Sequence, residues 1–467
     1  MNATGREDGA VSVQSRIHRM QFGCLLAALL MTLFFFLAED RASGAAYLLV
    51  ERYLALPAMA FLGVSVCREL PRKNRWYVFA GIAMIALFFV NQLLHQALES
   101  EAKQIGTFVC AYALFLPFAA ATEDEKKQLG LKWMGGLFIA AGLLMTVYMV
   151  LLFLNAVPGY LKDYVKWDGT RFSAMGHPNI CATLLMISIA FCAGFALQNR
   201  KTWVRIGLGV LVLPQFFAMS LTNGRTTIIL TCLLLGGIAF CSLRGRGWKR
   251  FLPAILAAVV VMIGAFGVSR AVFAWNQDYL MELIARSTQS LPEGTQQMPV
   301  FPQNDALQTG YPQQTLVSTQ AQGSLSDDMK TLNNRTLIWG YALNGLRDNP
   351  QVRFIGTEYV DVILSRYSQQ PFYHTHNSWL EALYRMGLPG LAAALVITAL
   401  AVWSALVVLW RNTDLWKSCI ALLVICLLGC AMLEPYLFVA DVSYFYLDFL
   451  FMLCLGYLCL WRRERDA

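Results

Sequence analysis

FLPAILAAVVVMIGAFGVSRAVFAW, residues 251–275, carries a single charged residue, Arg270. A hydrocarbon core about 30 Å thick is crossed by roughly 20 apolar residues of helix, so this stretch reads as a transmembrane span. Runs of the same kind recur at about 21–38, 45–66, 77–95, 107–122, 133–157, 179–198, 206–221, 226–243, 388–410, 418–437 and 444–461, twelve in all. Composition agrees: 57% of residues are hydrophobic and 14% charged, and mean hydropathy is +0.51. A soluble domain has about 25% charged residues. The first run has no small-residue cleavage site and a second span follows closely, so it reads as a retained helix. The expected fold is an all-α polytopic membrane protein.

Lys and Arg set the orientation. CRELPRKNR (67–75), TEDEKKQLGLK (122–132), QNRKTWVR (198–205), LRGRGWKR (243–250), RNTDLWK (411–417) and WRRERDA (461–467) alternate with loops far poorer in positive charge. The positive-inside rule then places both termini in the cytoplasm. The net charge of +8 is mostly this bias, and no basic patch interleaved with aromatics points to nucleic acid. The twelve cysteines fall in spans or beside cytoplasmic loops, which favours free apolar thiols over disulfides or a metal cluster.

The expected organisation is a cytoplasmic tail at 1–20, nine spans over 21–275, one long extracytoplasmic loop at 276–387, three spans over 388–461 and a tail at 462–467. Residues 287–330 are rich in Gln, Pro, Ser, Thr and Gly without an apolar period, the composition of a mobile segment. NNRTLIWGYALNGLRDNP (333–350) then predicts a helix over about 333–348, with Arg335, Ile338, Trp339, Ala342 and Leu346 at helical spacing and Pro350 as a stop. An apolar face laid against the membrane domain would aim Arg335 at the lipid surface. A second helix is expected over about 376–386, ended by Gly387-Leu388-Pro389-Gly390, with Asn377 and Glu381 sharing a face.

Cations on the outer side run against the topological rule and ask for a reason. They are Arg171 and His177 in RFSAMGHPN (171–179), Arg225 in LTNGR (221–225), Arg335, and His376 in HTHNSWLEALYRMG (374–387). Each has an ordinary reading as well, such as headgroup snorkelling for Arg171 and helix capping for His177. Together, guanidiniums at a lipid surface suit a pyrophosphate, since their planar fork donates bidentately to phosphate oxygens. A histidine at a helix N-terminus is disfavoured as a cation, which suits a general base. The chemistry is that of glycosyl transfer: His376 deprotonates an acceptor hydroxyl while Arg225 and Arg335 hold a departing lipid pyrophosphate.

RFSAMGHPN, NGRTT, NNRTLIWGYAL and HNSWLEALYRMGLPG, in that order and on that topology, resemble the O-antigen ligase and polymerase superfamily of bacterial envelopes. The resemblance implies an all-helical glycosyltransferase of the C type in the cytoplasmic membrane, with its active site on the extracytoplasmic side. It implies an undecaprenyl pyrophosphate-linked glycan donor, a glycan or lipid-core acceptor, no cofactor and no metal. By similarity Arg225 and Arg335 fall on the pyrophosphate-binding arginines and His376 on the catalytic histidine. Arg171 and His177 match the start of the sixth-span motif, and Asn377 and Glu381 take supporting roles. The Gln-rich part of the outer loop departs from the pattern. A ligase is favoured slightly over a polymerase of O-antigen or capsular polysaccharide, and protein-directed transferases share the superfamily. Two outside rivals are a twelve-span transporter, against which stands the lack of visible repeat halves, and a metal-dependent transferase using Glu39 and Asp40 or the His374–His376 pair.

Overall fold

The computed structural model describes residues 124–154, 172, 178–244, 250–289, 335–357, 359–368, 372, 374–411, 414–438 and 445–459. The first four expected spans, both tails and nearly all of the segment expected to be mobile lie outside these residues, as do Arg171, His177, Glu39 and Asp40.

The described residues form helices and no strand. They are α1 (Asp124–Phe153), α2 (Pro178–Gln198), α3 (Thr202–Leu221), α4 (Arg225–Arg244), α5 (Phe251–Gln289), α6 (Arg335–Asp348), α7 (Pro350–Ile355), α8 (Val360–Ser365), α9 (Ser378–Arg411), α10 (Leu415–Ala431) and α11 (Phe445–Cys459). Among them α1, α2, α3, α4, α5 and α9 are long and apolar enough to cross a bilayer, and α10 and part of α11 are shorter apolar helices. The chain is an integral membrane protein.

The helix α2 is the hub. It is buried along most of its length and packs against α1, α3, α4 and α10. Its sequence, PNICATLLMISIAFCAGFALQ, is apolar all round, as a helix enclosed by others must be. Aromatic rings fill its far end, where Phe195 stacks on Trp416 of α10 with ring centroids 5.2 Å apart.

Two features differ from the sequence reading. The run 418–437 is not one span: α10 ends at Ala431, and residues 432–438 form a turn. Pro435 accounts for this, because a proline disfavours helix at the residue before it, here Glu434. The segment between α6 and α9, expected to belong to an outer loop, also contains α7 and α8, which were not anticipated. Pro350 does stop α6, but it does so as the first residue of α7, where a missing N–H costs nothing.

The three loop helices have a core of their own. Ala342, Leu346, Val352, Val360, Ile363 and Leu364 close around Tyr384 of α9, whose hydroxyl donates to Ala342 O at 2.5 Å. The loop docks where α9 kinks. Gly387 breaks the helix with φ 67°, and Gly356, at φ 88°, ends α7 directly against it. Each glycine lies on the backbone of the other's neighbours, so a side chain at either would meet carbonyls.

Candidate active site

Four helices begin at the same end of the bundle. Asn179 is in the first turn of α2, Arg225 opens α4, Arg335 opens α6, and His376 lies just ahead of α9. Helix N-termini carry unpaired N–H groups and partial positive charge, so their convergence favours an anion.

The resident anion is Glu434, in the turn after α10. Its Oε1 accepts from Arg335 Nη2, in a short ion pair, and from Asn179 Nδ2 at 2.7 Å, while Oε2 lies 3.1 Å from His376 Nδ1. Glu434 thereby joins α6, the hub helix α2 and the loop ahead of α9. The turn around it is tied down as well: Ser378 Oγ donates to Glu434 O at 2.9 Å, Leu437 N donates to Ser378 Oγ, and Phe438 N donates to the buried Asp448.

Burial by itself would push the Glu434 carboxyl up. The hydrogen bond from His376 and the positive charges of His376, Arg335 and His374 outweigh it and hold the group at about 2, against an ordinary 4.5. It is therefore a carboxylate at neutral pH. A carboxylate only accepts, so Nδ1 of His376 carries a proton towards it, and Nε2 is the nitrogen turned away, the one that bears the lone pair whenever the ring is neutral. The His376 side chain is 26% exposed and that of Glu434 10%, so the imidazole faces outward while its partner stays inside.

The backbone around His376 is held from both sides. His376 has φ 52°, a left-handed conformation that costs a non-glycine residue about 1–2 kcal/mol. On one side, Glu381 Oε2 accepts from both the N and the Oγ1 of Thr375 at 2.8 Å, and Glu381 Oε1 accepts from Arg385 Nε at 2.7 Å. On the other, Asn377 caps α9, its Oδ1 accepting from Trp379 N and Leu380 N. Asn377 is thus the cap and not a face partner of Glu381. The ring of His374 meets that of His376 edge-on, with centroids 4.1 Å apart.

Arg335 is buried and does not point at open lipid as expected. One of its terminal nitrogens holds Glu434, and its Nε is buried with no hydrogen-bond partner among the described residues. Arg225 sits on a tight turn. Asn223 takes φ 48°, and Gly224, which lies against Ala182 and Asn179, leaves no room for a side chain. That contact sets the start of α4 beside the same end of α2 that touches Glu434.

The structure thus groups Arg335, His376, Asn377 and Glu381 and puts Arg225 on a turn against Asn179. Sequence reasoning missed Glu434, Asn179 and Asp448. For Glu434 a signal existed: a lone acid before a proline at the end of an apolar run, LEPYLF. Among the described residues no group of three or more His, Cys, Asp or Glu has the arrangement of a metal site.

Residues 210–395 match the O-antigen ligase family model (Wzy_C). The matched stretch contains Arg225, Arg335, His376, Asn377 and Glu381, and leaves Asn179 and Glu434 outside it. Comparison with curated proteins gave no match. With its apolar helices the chain is a membrane protein, and over residues 210–395 it carries a stretch similar to the O-antigen ligase family, whose members are enzymes of the glycosyltransferase type.

Proposed function

We propose that the protein is an O-antigen ligase-like glycosyltransferase that moves a glycan from undecaprenyl pyrophosphate to an acceptor hydroxyl at the outer face of the cytoplasmic membrane. His376 Nε2 takes the proton of the acceptor hydroxyl as its oxygen attacks the anomeric carbon. The bond from that carbon to the pyrophosphate oxygen breaks, and the lipid pyrophosphate leaves with the electron pair. One displacement inverts the anomeric centre. Glu434 fixes the imidazole by its Nδ1–H and offsets the charge that appears when the proton arrives.

Arg335, whose buried Nε has no partner among the described residues, and Arg225, at the positive end of α4, supply donors for the departing pyrophosphate. Arg171 and His177 are proposed to border the same place from the start of the sixth span. The observation that carries the reading is the single carboxylate shared by Arg335 and His376, since it ties a phosphate-type donor to a base. We assign the transfer no metal: activity is expected to persist in EDTA, and loss restored by Mg²⁺ or Mn²⁺ overturns the assignment.

The deciding experiment is an envelope-glycan gel from a deletion strain, probed in parallel for glycan on undecaprenyl pyrophosphate. Long polymer stranded on the carrier supports the ligase. Single repeat units in place of a ladder identify a polymerase, and an unchanged profile rejects the family activity in favour of transport.

A further inference from the structure

The end of the bundle opposite the site carries a second feature. Both α4 and α9 start at the site, at Arg225 and Ser378, and both finish on an arginine, Arg244 and Arg411. The twenty residues of α4 span about 30 Å at 1.5 Å per residue, the thickness of a hydrocarbon core. Between these far ends and the start of α5 lies a groove of about 680 Å³, lined among others by Phe240, Arg244, Phe251, Trp403, Trp410 and Arg411.

The groove is apolar along its length and cationic at its end. Its described lining holds two arginines and no acidic residue. The Arg244 guanidinium lies 5.7 Å, 6.0 Å and 5.6 Å from the rings of Phe240, Phe251 and Trp410, and its Nη1 donates to Leu409 O at 3.4 Å. Rings on several sides fix the plane of the guanidinium and leave other edge donors for a ligand oxygen. Trp403 and Trp410 stay 60% and 77% exposed, so packing among the described residues leaves most of both rings uncovered.

We infer that this groove binds one anionic phospholipid, with an acyl chain along Trp403 and Trp410 and its phosphate on Arg244 and Arg411. Charge complementarity selects the occupant, because an apolar trough ending in guanidiniums matches a lipid with an anionic headgroup. The glycan donor is not that lipid: its pyrophosphate belongs about 30 Å away at Arg225 and Arg335, in the opposite leaflet. An arginine at a helix C-terminus also offsets the helix dipole without any lipid, which is the alternative to be tested.

The test uses the full-length protein in detergent, given an equimolar mixture of phosphatidylglycerol and phosphatidylethanolamine with identical acyl chains, and native mass spectrometry to count retained lipid. Retention should favour phosphatidylglycerol by about fivefold for each arginine that meets the phosphate. The double variant Arg244→Ala, Arg411→Ala should bring retention to parity, and Leu406→Trp, which fills the groove and keeps both charges, should reduce retention of both lipids. In parallel, phosphatidylglycerol with a photoreactive acyl chain should label α9 between residues 403 and 410. Equal retention by the wild-type protein, label confined to other segments, or a preference unchanged in the double variant overturns the site. The wild-type preference and the label decide the matter even if a variant fails to fold.

Discussion

Two glutamates are buried near His376, and they do opposite work. Glu381 is bonded to Thr375 and Arg385, residues no more than six positions away in its own segment. Glu434 is bonded to His376, Arg335 and Asn179, which lie 58, 99 and 255 positions away. The first is a local clamp that holds the loop carrying the histidine. The second is a junction that ties the proposed base, an arginine and the central helix together. Both side chains are buried, so the difference lies in where the partners come from, and it is this difference that the proposal reads as a folding role against a chemical one.

The comparison is sharpest at His376 itself. His376→Ala removes the proposed base that both glutamates would serve, and transfer should fall about 10²–10⁴-fold with the protein still inserted and folded. Glycan ligation by membranes, normalised to folded protein, measures it. Normal activity would leave the glutamates without a common purpose.

Glu434→Gln comes next. The amide is nearly the same size, but it carries no charge for Arg335 and does not enforce the Nδ1–H tautomer. Activity should drop by about 10²-fold, with stability lowered by a few kcal/mol because Arg335 is left as an unpaired buried charge. If activity per folded molecule is unchanged, Glu434 is a second clamp and the contrast disappears. The acid limb adds a check with a definite sign. A carboxyl held at about 2 in the folded protein and near 4.5 when unfolded contributes stability fully above 4.5, and loses it as the pH falls through about 2. The melting-temperature gap between wild type and Glu434→Gln should therefore narrow steadily as the pH falls below 4.5. A gap that does not change over this window would refute the depressed value.

Arg225→Lys keeps the charge at the head of α4 but loses the planar fork, and about a tenfold loss of transfer is expected if pyrophosphate is gripped bidentately. A full rate in this variant would mean that Arg225 supplies only a field.

How these residues were legible follows from the same contrast. Spans such as α2 and α5 are visible because membrane helices state their burial in composition, residue after residue. Glu381 and Asn377 are visible because their partners are local, and a helix start has a short-range signature. Glu434 is not, because its partners come from three distant segments and its own run was long enough to read as uninterrupted span until Pro435. The loop helices α7 and α8 escaped for a related reason: at six residues each they are too short to show a period, and they persist by packing on Tyr384.

The smallest effect should come from Glu381→Gln, and that is its value. Gln can still accept from Thr375 N through its carbonyl oxygen, so only part of the clamp is lost, along with the charge facing Arg385. Stability should fall by about 1–3 kcal/mol, the cost of a weakened buried hydrogen-bond set. Transfer per folded molecule should fall only slightly, because the Asn377 cap still holds the other side of His376. The measurement is paired: thermal unfolding and transfer rate on the same preparation. If Glu381→Gln costs as much activity as Glu434→Gln, the left-handed backbone at His376 must depend on Thr375 more than on Asn377. The clamp would then be part of the catalytic geometry, since a base displaced by an ångström loses its proton acceptor position as surely as one without its carboxylate.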